Sequence, residues 1–319
     1  MSRAARAADG IWWMRTLLAN VVFVGSSERW VLVDAGIGGY SGSIAAAARE
    51  LFGHERPPEA IILTHGHFDH VGSLERLVDR WNVPIYAHTL ELPYLTGRSS
   101  YPPPDPLVGG GAMAWSSKLY PRGPIDLDGR VQALPGDHTV PGLPGWRWMH
   151  TPGHSPGHVS LTRESDGAVI AGDAVTTTKQ ESLIAVATQR QELHGPPAYF
   201  TPDWFAAARS VRALAALDPS VLVTGHGTPM GRPRLHNALL QLADRFEADE
   251  MPARGRYLGS PALTDDRGIV WLPPDPFPRA FARVAVPVAI GGVALLAMRR
   301  RGREGERRWI ERAGLNTRD

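Results

Sequence analysis

Four side chains able to ligate a metal fall within six residues of one another, directly after an apolar run, in the segment IILTHGHFDHVG at residues 61–72. The apolar residues 60–64 read as a strand. In the extended chain that follows, alternate side chains point the same way, so His65 and His67 can grip one ion. Asp69 and His70 fall where the chain turns into a helix and can serve a neighbouring ion. Such a concentration of polar groups at the end of an apolar strand is costly to bury unless something pairs with it. The chain contains no cysteine, which excludes disulfides, thiolate zinc ligands, iron–sulfur clusters and cysteine nucleophiles. Any bound metal must then rest on imidazole nitrogen and carboxylate oxygen, ligands that zinc accepts.

Three more segments each place one ligand just beyond an apolar strand and just after a glycine: WMHTPGHSPGH with His154, IAGDA with Asp173, and VLVTGHG with His226. Glycine at these points permits tight turns and close backbone approach. Loops at strand ends, held by a rigid sheet, are where catalytic groups usually sit. The first 35 residues read as strands, with 12–18 and 30–33 as mostly apolar runs, and strands are predicted at 20–25, 30–34, 60–64, 84–87, 146–150, 158–162, 168–171 and 220–224. Helices are predicted at 41–52, with Gly53 as its stop, and at 72–81, 202–217 and 232–248. Strand clusters with helices between them predict layered α/β architecture.

H-x-H-x-D-H, then T-P-G-H-S-P-G-H, then G-D, then G-H-G, in that order, resembles the metallo-β-lactamase superfamily over roughly residues 21–248. Asp34 in VLVDAG matches that family's early structural aspartate. The resemblance implies an αββα four-layer sandwich. It also implies that His65, His67 and His154 bind one metal, that Asp69, His70 and His226 bind a second, and that Asp173 bridges both. Two divalent ions, expected to be Zn2+ and some ~3.5–4 Å apart, would lower the pKa of a bridging water and stabilise developing charge. The implied reaction is attack of that hydroxide on an ester, thioester or lactone carbonyl, with Asp69 and Asp173 in the catalytic set and Asp173 or a metal-bound water protonating the leaving group. His158 is expected to support the ligands from behind, Asp34 to orient their loops, and His88, His138, His150 and His194 to be structural.

Within the family, His67 in place of a glutamate disfavours the di-iron flavoprotein branch, and the lack of cysteine removes the β-lactamases that use a cysteine ligand. The T-P-G-H-S-P-G-H motif resembles glyoxalase II and lactonase-like members. Residues 176–204 with 253–274 resemble a group of uncharacterised bacterial metallo-hydrolases. Tyr199 lies roughly where lactonase-like members place a tyrosine over the scissile carbonyl. It can donate to an oxyanion or simply pack under the turn at 195–197, and Lys179 is a second candidate for charge stabilisation. Three other functions stay open: a phosphodiesterase or nuclease, a mono-iron persulfide dioxygenase-like oxidoreductase using His65, His154 and Asp173, and a non-catalytic membrane-tethered scaffold.

Charge is unevenly spread. From Arg279 onward there are 10 arginines against 4 acidic residues, while the rest carries 24 Lys/Arg against 28 Asp/Glu. The catalytic part is thus mildly acidic, so a small-molecule substrate is expected there and nucleic acid is not. The expected organisation is a catalytic domain at 1–258, an extended linker at 259–279, an apolar helix at 280–301 and a charged, disordered tail at 302–319. The uncharged stretch at 284–298, VAVPVAIGGVALLAM, is followed by Arg299–Arg301. It reads as a short membrane anchor, as an interfacial helix on anionic lipid, or as a soluble packing helix. The N-terminus lacks the pattern of a signal peptide. The expectation is a cytoplasmic enzyme tethered to a membrane by this segment. Residues 101–111, YPPPDPLVGGG, cannot form a regular element. They read either as a lid over the site or as a mobile surface insertion.

Overall fold

Strict alternation along the N-terminal strands sets the layering. In residues 21–24, Val21 and Phe23 pack into one apolar cluster and Val22 and Val24 into another; Trp30 and Leu32 part from Val31 and Val33 in the same way. Successive side chains of a strand point to opposite faces, so a strand that is apolar at every position is covered on both. Each fully buried Val or Leu contributes roughly 1.5–3 kcal/mol.

The computed structural model describes residues 3–53, 56–127 and 129–276. One sheet comprises β1 (Ala5–Ala8), β2 (Ile11–Thr16), β3 (Ala19–Gly25), β4 (Trp30–Val33), β5 (Ile61–Ile62), β6 (Ile85–Ala87) and β7 (Val131–Ala133), hydrogen-bonded in sequence order. The first four form an antiparallel meander, and the pairings from β4 to β7 are parallel. The second sheet comprises β8 (Thr139–Val140), β9 (Leu143–His150), β10 (Val159–Arg163), β11 (Ala168–Gly172), β12 (Val221–Thr224) and β13 (Met230–Gly231), again ordered sequentially, with β11 and β12 parallel.

Helices cover the outer faces. The first sheet carries α1 (Ser41–Phe52), the short α2 (Phe68–Val71) and α3 (Leu74–Trp81). The apolar spacing Ile44, Ala47, Ala48, Phe52 turns one side of α1 onto the sheet, and Gly53 ends it at φ 92° with its N–H on the Arg49 carbonyl. Short helices α4 (Leu92–Leu95), α5 (Ala112–Ser116) and α6 (Leu183–Thr188) lie in the connections. Over the second sheet lie α7 (Trp204–Ala216), capped by Asp203, and α8 (Arg234–Asp249). A third apolar cluster, including Ile62, Trp146, Leu161, Ile170 and Val223, fills the space between the sheets. The layers are therefore helix, sheet, sheet, helix, an α/β sandwich of the type expected.

Three differences from the sequence reading have physical causes. Strands β7, β8 and β13 were not expected: they are two or three residues long, too short to carry a periodic signal. The stretch 259–279 is not an extended linker throughout, because β14 (Leu263–Asp265) and β15 (Gly268–Trp271) pair as a hairpin within it. By internal contacts the chain divides into units Met1–Pro274 and Asp275–Asp319. The predicted apolar helix at 280–301 and tail at 302–319 lie outside the described residues. Among the described residues no helix is long and apolar enough to cross a membrane.

The third concerns residues 101–111, which form no regular element and are mostly buried up to Val108, with Leu107 and residues 109–111 exposed. Tyr101, Asp105 and Val108 are buried. Asp105 takes the backbone N–H groups of Leu107 and Arg256 and gives its own to the Tyr199 carbonyl, and the Tyr257 hydroxyl donates to the Pro103 carbonyl. These bonds tie residues 101–108 to the body of the domain.

Candidate metal centre

The parallel pairs in the two sheets end at a common edge, and the ligand loops leave from it. His65 and His67 follow β5, and α2 then turns Asp69 and His70 inward. His154 lies in the loop between β9 and β10, Asp173 directly after β11, and His226 just after β12. One backbone bond and the Asn20 side chain lock the sheets together here. The Val159 N–H donates to the Thr64 carbonyl, and the Asn20 amide donates to the carbonyls of Thr224 and Gly227. Gly225 is required by proximity, since a Cβ there would sit 2.0 Å from Asp173 Oδ1.

All seven side chains singled out in the sequence are buried and meet in three overlapping groups: His65–His67–His154, His65–His70–Asp173 and Asp69–His70–His226. In each group the candidate ligand atoms lie within 4.8 Å of one another. Asp173 stands between the groups. Its oxygens are 3.0 Å from His226 Nε2, 3.4 Å from His154 Nε2 and 3.6 Å from His70 Nε2. Asp69 approaches His226 Nε2 at 3.5 Å.

Partners behind the rings fix which nitrogen faces inward. Asp34, at φ 60°, accepts from the Thr64 N–H and the Thr64 hydroxyl, both at 2.8 Å, and from His70 Nδ1–H at 2.8 Å. Because the Thr64 hydroxyl donates to Asp34, its oxygen accepts from His65 Nδ1–H at 3.1 Å. His226 Nδ1–H donates to the Leu18 carbonyl. Three imidazoles thus spend Nδ1 outward and aim Nε2 at the centre. His158 takes no part as a ligand: Nε2 accepts from the Asp173 N–H at 2.8 Å and Nδ1 contacts the Thr151 hydroxyl at 2.9 Å. It holds Asp173 from behind.

The residues fit a cation. His65 Nε2, His70 Nε2 and Asp173 Oδ1, which face one another, are buried without a hydrogen-bond partner, and an unsatisfied buried polar atom costs roughly 1–3 kcal/mol. His67 Nδ1 and His154 Nε2 face each other at 2.9 Å. Burial, reinforced by neighbouring imidazoles, drives His65 and His154 well below the usual histidine range and His67 to about 3, so all three stand neutral with lone pairs available. The other side behaves oppositely. Burial disfavours the charged forms of His70 and His226, but Asp173, with Asp34 or Asp69, outweighs it and raises both. Asp173 is itself held well below the carboxylate range, since His226 and His70 outweigh its burial.

A narrow cleft, open to solvent, leads onto this cluster. Its walls include Leu18, Phe68, Met113, Tyr120, Tyr199 and Phe200, and no Lys or Arg lines it among the described residues. Tyr199 is buried at the cleft and held protonated, since burial raises its pKa well above the ordinary tyrosine value. Lys179 is exposed and does not line the cleft. His88 and His150 stack at 4.3 Å outside the cluster, His138 stacks on Trp148, and His194 meets Glu250. Sequence reasoning missed Phe200, which stacks on His67 at 4.7 Å, and Glu91, a buried carboxylate. The one sequence signal for Glu91 is a charged residue inside the otherwise helical, apolar stretch HTLELPYL.

An αββα sandwich with a His/Asp cluster at the shared sheet edge defines a metal-dependent hydrolase of a known architecture. The model of the metallo-beta-lactamase superfamily matches residues 14–226, and the chain belongs to that family. It is 46% identical over 245 residues to "Probable metallo-hydrolase YflN" of Bacillus subtilis, covering 76% of this chain and 93% of that one. It is 29% identical over 205 residues to "Probable metallo-hydrolase YybB" of the same organism, covering 64% and 79%. Among solved structures, a metallo-beta-lactamase family protein from Thermus thermophilus superposes with a TM-score of 0.53 at 19% identity, covering 76% of this chain and 81% of that one, a likeness of fold.

Proposed function

We propose that the protein hydrolyses an uncharged carboxylic ester, thioester or lactone with two divalent metal ions, zinc being the expected metal. His65, His67 and His154 would hold one ion, Asp69, His70 and His226 the other, with Asp173 between them. The observation that carries this reading is the set of buried imidazole and carboxylate atoms that converge without hydrogen-bond partners. When bound, such ions supply Lewis acidity and bring the pKa of a water towards neutrality.

The protein's own groups supply the rest. Neutral imidazoles offer lone pairs at neutral pH because burial disfavours their protonation. The Tyr199 phenol, kept protonated, is placed to donate to an oxygen that gains negative charge. Asp173 is kept ionised and so would offer negatively charged oxygen to a cation. The aromatic and aliphatic walls favour an apolar acyl or alcohol group and exclude water around it. The cleft already holds Asp69 and Asp173 and is lined by no Lys or Arg among the described residues, which disfavours a phosphodiester.

The test is metal analysis of the purified full-length protein with lactone, thioester, ester, β-lactam and phosphodiester substrates run on the same sample. Two divalent ions per chain with turnover of one carbonyl class is the expected result. A single iron without hydrolysis, or phosphodiester turnover above all carbonyl substrates, would overturn it.

A further inference from the structure

Behind the three-histidine group stands a carboxylate with no access to solvent. Glu91 follows β6 and is 0% exposed. A buried carboxylate is costly unless each oxygen is satisfied, and here each oxygen has two donors. Oε1 accepts from the Ser155 hydroxyl at 2.7 Å and the Gly157 N–H at 2.8 Å. Oε2 accepts from the Gly66 N–H at 3.0 Å and from the Tyr101 hydroxyl. Burial raises the Glu91 pKa, and the four donors oppose that rise by favouring the charged form.

The origin of these donors carries the argument. Gly66 is the residue between His65 and His67, and Ser155 directly follows His154. The Tyr101 ring, bound to Glu91 through its hydroxyl, lies 4.4 Å from the His67 ring, centroid to centroid. One side chain therefore joins the two loops that bear the three-histidine group and the Tyr101 segment that packs on one of its rings. The two motif glycines admit it. A Cβ at Gly66 would lie 2.6 Å from the Tyr101 hydroxyl oxygen, and one at Gly157 would lie 2.8 Å from Glu91 Cγ. Three of the four donors, on Tyr101, Ser155 and Gly157, lie outside the segments bearing Asp69, His70, Asp173 and His226; Gly66 lies between His65 and His67, three residues before Asp69. Asp34 binds His70 directly on that other side, and reaches His65 only through the Thr64 hydroxyl.

We propose that Glu91 is a positioning residue for the three-histidine metal site: by clamping the Gly66 and Ser155–Gly157 backbones and the Tyr101 phenol, it sets the approach of His67 to His154. This rests on the metal reading given above. Partners behind a metal site typically change metal affinity by about 10–100-fold.

The experiment titrates Co2+ into metal-stripped full-length protein against a chelator, following the visible absorption of the bound ion, for wild type and Glu91→Gln. Glutamine keeps the shape but turns one accepting oxygen into an NH2 that faces two donors. The expected result is two equivalents in both proteins, one of them weakened about 10–100-fold in the variant and the other changed less than threefold. In an Asp69→Ala background the remaining equivalent should still be weakened by Glu91→Gln, whereas in a His154→Ala background it should not. Equal weakening of both equivalents, or of neither, overturns the proposal. Failure of the wild type to bind Co2+ is a different result and overturns the metal reading itself. If circular dichroism shows Glu91→Gln unfolded, Tyr101→Phe carries the test: a loss of about threefold or more confined to the same equivalent supports the proposal, and an unchanged titration overturns it.

Discussion

The two sides of the candidate metal centre share Asp173 and meet where His65 packs on His70, but their surroundings differ. On one side three imidazoles pack face to edge among aromatic rings, His67 between Tyr101 and Phe200, and burial keeps them neutral. On the other, His70 and His226 sit among Asp34, Asp69 and Asp173, whose charge overcomes burial and favours positive charge. Both sides are braced from behind by one buried carboxylate, but differently. Asp34 touches the candidate ligand His70 directly, while Glu91 reaches its histidines only through backbone and side-chain hydroxyls. The contrast teaches that one site is built by shape and desolvation and the other by charge. They should therefore fail in different ways.

The largest break should come from Asp69→Ala. Removing the carboxylate that only the charged side uses is expected to lower metal content by one ion per chain. Hydrolysis should fall on the order of 10³-fold, the scale of several kcal/mol of lost transition-state stabilisation. Full activity with one ion bound would refute a two-metal mechanism. Asp34→Asn should be next. Asparagine keeps the shape but cannot both accept from Thr64 and hold His70 Nδ1–H as a carboxylate does, so metal affinity on the charged side should drop about 10–100-fold. Equal weakening of the three-histidine side would show that the two braces are not separate.

Tyr199→Phe should leave metal content and both affinities alone. If the phenol donates to developing charge, kcat falls about tenfold with KM within a factor of two, a transition-state loss of roughly 1.4 kcal/mol. An unchanged kcat would reduce Tyr199 to a wall of the cleft. The smallest effect belongs to the histidines outside both sides. His88, stacked on His150, is held near 4 by burial and by that neighbour, below the ordinary 6.5. The folded state thus takes up its proton less readily than the unfolded chain. The stability linked to neutral His88 is full above about pH 6.5 and declines as pH falls towards 4. His88→Gln should make the fall in Tm between pH 7 and pH 5 shallower, without changing metal content. A fall as steep as that of the wild type would remove His88 from the account.

Much of this was legible in the linear chain because it is local. His65, His67, Asp69 and His70 leave a single strand end, and their spacing announces them. The helix at 41–52 was read to the residue, since its apolar spacing spans three turns and a glycine ends it. Asp34, His154, Asp173 and His226 were legible through the motifs that carry them. The hairpin at 263–271 was not, because its strands are three and four residues long with partly exposed faces. Nor was the tying of residues 101–108 to the body of the domain, which depends on Asp105 meeting Arg256, 151 residues away.

The sequence by itself determined which side chains could ligate and the order in which strands deliver them, because strand periodicity and glycine-flanked strand ends are properties of a few neighbouring residues. Only the tertiary structure decided that Glu91 lies behind His67 and His154 and that the cleft above them is lined by aromatic and aliphatic side chains. Those arrangements are made by hydrogen bonds and packing between segments 25 to 66 residues apart and beyond, and a buried carboxylate acquires its role only when folding brings four donors to it.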